Sequence, residues 1–397
     1  MLATSRVVGP RMAKTHDGTL RVLHVITGLN VGGAERMLQK VLVGMNSDRF
    51  QNHVVTLLRG GKIASEIRAL GIPVYELGLL PLWPSPTGLY RLIRITRRIA
   101  PQVIQGWMYH GNCAAWLAWR AAGGKAFLSW NIRQSLYDLN KEKTGTRLAI
   151  RLGTRIQRNV RRIIYNSNVS RLQHEAVGYR ADLAEVIPNG FDTEGFRPDP
   201  RAGLRLRSFL GVSPEAVLIG LIARYHPMKG HATFLAAAAR LVDCHPQARF
   251  VLVGTGIDEG NASLMQEVIA AGLRERTYLL GERSDVAALI AGLDIVCSSA
   301  SWGEGFPNVV GEAMSCGVPC VVTDVGDCAA IVGETGWVVS PGDPEALAAA
   351  LKAAVEAGCE ARRARGQQAR ARVIECYALP QIARRYEQLY AQLSADR

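Results

Sequence analysis

Short apolar runs recur along this chain, each closed by a glycine-rich or polar loop and followed by a helical pattern, and that alternation restricts the fold more than any other feature. One series of runs covers residues 21–27, 53–57, 72–77, 103–105 and 163–165, and a second covers 217–223, 250–253, 278–280, 294–299 and 318–324. Apolar runs separated by helices predict parallel strands buried on both faces by those helices. The expected class is therefore α/β, and a length of 397 residues suits two doubly wound units better than one. Open parallel sheets bind ligands at the carboxyl ends of their strands, so each unit should offer one lip of a common cleft.

Three strand-end loops hold the residue types that bind a phosphorylated ligand. Residues 301–314 read Ser-Trp-Gly-Glu-Gly-Phe-Pro-Asn-Val-Val-Gly-Glu-Ala-Met and lead from a strand into a helix over 308–316. Gly303 and Gly305 let the backbone approach a ligand, Pro307 suits a helix start, and the first amides of that helix would face an anion. Glu304 lies before the helix and Glu312 about one and a half turns inside it, so the two carboxylates can reach different parts of one ligand. An ordinary strand-loop-helix corner with one solvated Glu and one Glu on the helix surface is the bland alternative. At 28–33, Gly-Leu-Asn-Val-Gly-Gly repeats the device, but its spacing is not G-x-G-x-x-G, which argues against a dehydrogenase. A turn needing positive φ would account for one of Gly32 and Gly33. Arg224 and Lys229 follow the strand at 217–223, and two permanent cations placed there can converge on one diphosphate.

At these residues the sequence resembles the family 4 retaining glycosyltransferases of GT-B fold. The family signature is Glu, seven residues, Glu, with Gly-Phe after the first; Glu304-Gly305-Phe306 and Glu312-Ala313-Met314 match it, and the resemblance spans roughly residues 20–395. It implies two Rossmann-like domains facing across a cleft and transfer of a sugar from a nucleotide diphosphate sugar, with retention, to a lipid-linked or saccharide acceptor in bacterial cell-surface polysaccharide synthesis. Arg224 and Lys229 would grip the diphosphate, Glu304 the sugar hydroxyls and Glu312 the ribose. Gly305, Phe306, Pro307 and Asn308 would complete the donor site, with Arg283 near the base. Gly32 and Gly33, and more weakly Glu35, would lie against the donor diphosphate and acceptor, and His110 near the transferred sugar. The resemblance also implies front-face attack assisted by the leaving phosphate; nothing in the sequence identifies a nucleophilic carboxylate. The sequence has no Asp-x-Asp, so the cations are expected to replace a metal, and the nucleotide sugar is a co-substrate rather than a cofactor. A nucleotide-sugar 2-epimerase of GT-B fold and a catalytically silent membrane-associated binding module are the alternatives.

The expected organisation is a flexible leader over 1–19, an acceptor-binding domain over 20–190, a nucleotide-sugar-binding domain over 191–375, and a terminal helix over 376–397 that crosses back to the first domain, as the resemblance implies. The formal charge of +13 is uneven: residues 1–190 hold 27 Lys and Arg against 10 Asp and Glu, and residues 191–397 hold 20 against 24. A basic half predicts attraction to an anionic surface, and without a nucleic-acid-binding motif a membrane is favoured over nucleic acid. Between 141 and 162, Lys143, Arg147, Arg151 and Arg155 line one helical face, and Leu148, Leu152, Ile156 and Val160 form an apolar stripe; a core-facing stripe is the safer reading of its packing. A helix with Arg91, Arg94, Arg97 and Arg98 would join the same face. No run approaches the roughly 18 apolar residues of a membrane span, so a cytoplasmic protein, peripheral on the inner face of the membrane, is expected. The eight cysteines lie mostly among apolar neighbours and read as core thiols of a reducing compartment, with no zinc spacing.

Overall fold

The computed structural model describes residues 19–79 and 85–395. The leader reading of residues 1–19 thus falls, apart from Thr19, outside the described residues. Among the described residues, thirteen strands form two sheets in which every pairing is parallel.

The first sheet contains β1 (Leu20–Ile26), β2 (Phe50–Thr56), β3 (Val74–Glu76), β4 (Val103–Trp107), β5 (Phe127–Ile132), β6 (Val160–Tyr165) and β7 (Ala184–Val186), in the order β3-β2-β1-β4-β5-β6-β7. Its helices are α1 (Gly33–Gly44), α2 (Lys62–Ala69), α3 (Pro86–Ile99), α4 (Met108–Ala121), α5 (Thr144–Ile156) and α6 (Asn168–Ala176). The second sheet contains β8 (Val217–Ile222), β9 (Ala248–Val253), β10 (Thr277–Leu279), β11 (Ile295–Ser298), β12 (Cys320–Thr323) and β13 (Trp337–Val339), in the order β10-β9-β8-β11-β12-β13. The helices around it are α7 (Ala202–Leu210), α8 (His231–Cys244), α9 (Ala262–Ala270), α10 (Val286–Ala291), α11 (Asn308–Ser315), α12 (Cys328–Val332), α13 (Pro344–Glu356) and α14 (Gly358–Tyr377), before α15 (Leu379–Ala395).

Each sheet has a buried cluster on either face. This explains the apolar runs: β8 reads Val-Leu-Ile-Gly-Leu-Ile because neither face meets water. Both sheets follow the doubly wound order, in which the direction of winding reverses between the first and fourth strands. The loops after β1 and β4, and after β8 and β11, flank those reversals, where side chains can enter a crevice without meeting a crossover.

The chain passes between the domains twice, side by side. Phe191 bridges Ala378 in parallel, its N–H donating to Tyr377 O and its carbonyl accepting from Leu379 N, both at 2.9 Å. From there α15 lies on the first domain. Tyr386 stacks on Trp107 and accepts hydrogen bonds at its hydroxyl from Asn131 and Arg133, and Tyr390 donates to Gln105. The carboxylate of Glu387 accepts the N–H of Asn46 at 2.6 Å, just past the end of α1.

Two sequence readings need correction. Leu148 and Leu152 do not face the core: Leu148 is 68% exposed, and the inward residues of α5 are Ala149, Ile150 and Gly153. Gly153 sits where a Cβ would be 2.5 Å from the Tyr179 hydroxyl, so small residues let α5 approach closely and turn the leucines outward. Only Cys297, Cys316, Cys320 and Cys328 are buried; Cys244, Cys359 and Cys376 are exposed. Sequence neighbours on a helix point to different faces, so apolar flanks did not locate these thiols.

Candidate active site

The second lip of the cleft is built from two loops stitched together. After β8 the chain runs through Arg224 to a single 3-10 turn, Pro227–Lys229, and on to Gly230 at φ 67°. A Cβ on Gly230 would lie 1.9 Å from Ser299 O, so only glycine lets this turn press against the strand-end loop after β11. Ser299 Oγ donates to Lys229 O at 2.9 Å, and Ser301 N donates to Met228 O at 2.8 Å.

That stitching brings Lys229 Nζ onto Glu304 Oε1 as an ion pair, with both side chains largely covered. The Arg224 guanidinium is exposed and reaches Met228 Sδ at 4.0 Å, and Met228 in turn packs against Gly303. Two cations and a carboxylate therefore share one strand-end corner. Beside it, α11 begins after Pro307, and its leading amides have no partner within the helix. The corner joins donors and positive charge to one acceptor, which suits a phosphate linked to a hydroxylated group.

Glu312, half-buried in α11, has its carboxyl pushed up by burial, opposed by the nearby charge of Lys40. Lys40 belongs to α1 of the first domain and donates to Gly190 O at 3.3 Å; its ammonium is pushed down by burial, opposed by Glu312 and Asp192. Lys40 escaped sequence reasoning because a lone Lys inside a helix carries no local signal.

On the first lip, Gly32 and Gly33 open α1, and neither has positive φ, so the turn alternative fails. A Cβ on Gly32 would strike the Glu35 carboxylate at 2.3 Å, whereas one on Gly33 meets nothing within 4 Å. Gly32 makes room for Glu35, which folds back over the helix start, and Gly33 leaves open space. Strand β4 runs to Trp107, which is buried and donates to His24 Nδ1 at 3.1 Å. Met108 follows at φ 60°, an uncommon conformation for a side chain of this kind, at a strand end facing the cleft. His110 is exposed in the first turn of α4, with Nε2 toward Gly145, and has no described contact with Glu304, Arg224 or Lys229.

Other expected donor residues have different surroundings. The Phe306 ring is buried and stacks on Phe191 with centroids 5.9 Å apart, so it has only main-chain atoms to offer a ligand. Arg283 is held by Asp285 at 2.7 Å and lies over the Phe209 ring. Asn308 Oδ1 accepts from Asn189 Nδ2 at 2.8 Å across the cleft. Ser135 Oγ donates to Gly303 O at 2.9 Å, and Gly305 packs against Asn166, so the loop carrying Glu304 is held from both domains.

Known proteins resemble this chain in sequence and in fold. Residues 31–195 match the family model described as Glycosyltransferase Family 4, and residues 216–357 match that described as Glycosyl transferases group 1. EpsF of Bacillus subtilis (strain 168), named as a glycosyltransferase, is 28% identical over 335 residues, 77% of this chain and 79% of that protein. The lipopolysaccharide core biosynthesis mannosyltransferase LpsB of Rhizobium meliloti (strain 1021) is 32% identical over 175 residues, 42% of this chain and about half (49%) of that protein. The crystal structure of Anabaena HepE in complex with UDP superposes with a TM-score of 0.81 at 24% identity, covering 94% of this chain and 100% of that one.

Proposed function

Because the chain belongs to the group 1 and family 4 glycosyltransferases of GT-B fold, we propose that its cleft moves a sugar from a nucleotide diphosphate sugar to a lipid-linked or saccharide acceptor, with retention and without a metal ion. The observation that carries this reading is the corner where Lys229 pairs with Glu304 beside the start of α11, with Arg224 on the same loop as Lys229.

In the transfer, the bond between the anomeric carbon and the diphosphate oxygen breaks, the acceptor oxygen bonds to the same carbon from the same face, and the acceptor proton passes to the leaving phosphate. Negative charge grows on the diphosphate as the sugar carbon becomes cationic. Arg224, Lys229 and the first amides of α11 stabilise that charge in place, without needing to reorganise. The phosphate competes with Glu304 for the Lys229 ammonium, which frees the Glu304 carboxylate for sugar hydroxyls. Glu312 takes the ribose hydroxyls, and Gly33 leaves the acceptor room to approach. The sequence relatives favour cell-surface polysaccharide synthesis, since LpsB is named for lipopolysaccharide core biosynthesis.

The acceptor side fits work at a membrane surface on the cytoplasmic side. Helix α4 packs between α3 and α5 on one face of the first sheet. Outward leucines and tyrosine, namely Leu89, Tyr90, Leu117, Leu148 and Leu152, share these helices with Arg91, Arg94, Arg151 and Arg155. Apolar side chains among cations suit an anionic headgroup layer. No helix among the described residues is long and apolar enough to cross a membrane.

A panel of nucleoside diphosphates in a thermal-shift assay tests the donor site, with UDP first because HepE binds it. A ligand at about 100 times its Kd stabilises the folded protein by about 2.7 kcal/mol. One nucleotide should raise the melting temperature, and Arg224→Ala should abolish the rise. A rise that survives both Arg224→Ala and Lys229→Ala overturns the assignment of the diphosphate to this corner.

A further inference from the structure

We infer that Asp327 is a clasp between the domains and that it couples closure of the cleft to the shape of the loop carrying Glu304. Its carboxylate belongs to the second domain and ends on the first: Oδ2 accepts the N–H of Asn168 at 2.9 Å, and Oδ1 accepts that of Val169 at 3.2 Å. These are the opening amides of α6, whose cap residue Ser167 satisfies Ser170 N instead. Asp327 is only 8% exposed and forms no ion pair among the described residues. A buried carboxylate is costly unless strong donors replace its water, and a helix start supplies both donors and a favourable dipole.

The same residue grips its own domain. Asp327 N donates to Gly305 O at 2.9 Å. Gly326, at φ 64°, lies so close to the loop that a Cβ would be 2.6 Å from the carbonyl oxygens of Glu304 and Gly305. The main chain beside Glu304 is thus tied through one residue to α6. Opening the cleft returns the carboxylate and two amides to water, and closing it exchanges them for one another while fixing the loop. Asp327 is a positioning residue: it acts on the loop and touches no reacting atom. Its effect on transfer rests on the glycosyltransferase reading, whereas the clasp itself does not.

Two variants test it from opposite sides. Asp327→Ala removes the acceptor. Asn168→Pro removes one donor and should leave α6 intact, because proline is favoured at the first helical position and Ser167 is extended (φ −154°, ψ 157°), as a residue before proline must be. The Val169 amide has no partner within the helix, so its hydrogen-exchange protection reports the clasp. In the ligand-free protein, exchange at Val169 should accelerate about tenfold or more in both variants, the small-angle scattering radius should grow, and exchange on β1 and β8 should not change. In transfer assays Asn168→Pro should lower kcat about tenfold while nucleoside diphosphate affinity, a property of the second domain, stays within about twofold. Wild-type exchange at Val169 together with an unchanged radius in the folded Asn168→Pro protein overturns the clasp. Absence of transfer with every donor would instead overturn the enzymatic reading, and exchange and scattering would still decide the clasp.

Discussion

The same doubly wound order is built twice in this chain, yet its two reversal points are furnished in opposite ways. At the second, Lys229 and Glu304 are brought together by loops that bond to one another, Arg224 lies on the loop that carries Lys229, and Gly230 permits the loops' close approach. At the first, the strand ends present Gly32, Gly33, the strained Met108 and an exposed His110, with no comparable cluster of charge among the described residues. The first domain places its charge outside instead, on α3 and α5. A fold supplies the crevice and the loops decide its chemistry. One lip is charged and bonded to itself, as the proposed diphosphate site asks, and the other is open, as the proposed acceptor side allows.

The sharpest way to break this contrast is Glu304→Gln, which keeps the shape of the charged lip and removes its carboxylate. Turnover should fall by roughly 10²–10³-fold with little change in melting temperature; undiminished turnover would leave the second lip no more chemical than the first. Next in size is the outer surface. Cations near an anionic membrane are each worth about 1 kcal/mol, so Arg147, Arg151 and Arg155 together replaced by Gln should weaken sedimentation with phosphatidylserine vesicles by roughly a hundredfold at low salt. Unchanged sedimentation would make α5 an ordinary solvated helix.

The smallest effect concerns acid. Burial holds His24 and His174 in the first domain and His231 in the second at about 4, against 6.5 for a free side chain. The unfolded chain binds more protons between those values, so their contribution is complete above about pH 6.5 and is lost as pH falls toward 4. Each histidine adds at most about 1.4 kcal/mol per pH unit to the slope. The first domain holds two, so amide exchange at pH 5 should accelerate more on β1 and β6 than on β8 and β9. Equal acceleration would show that other groups govern acid stability.

Legibility in the sequence followed the range of the interactions. Strands buried on both faces were readable because burial writes a continuous apolar run, as in β8 and β11. Strand β5 was not, because Ser129 and Asn131 interrupt it; both are buried and bonded, Ser129 to Arg162 O and Asn131 to the Tyr386 hydroxyl of a helix 255 residues away. The strand-end loops were readable because glycine, proline and charge cluster locally there. Phe306 belongs to the same signature, but its ring serves the core. Lys40 beside Glu312 and Asp327 on α6 were invisible because each gains its partner only when the two domains meet.

The return of α15 to the first domain has a consequence for synthesis. The apolar face formed by Met37, Trp107, Ile164 and their neighbours is covered by Tyr386 and Tyr390, which emerge only after the whole second domain has been made. At about 5–20 residues per second, the interval between Phe191 and Leu379 is on the order of 10–40 s. For that time the nascent first domain carries an uncovered greasy flank, so a ribosome stalled within the second domain should leave a nascent chain that chaperones bind, and release of the finished chain should end that binding.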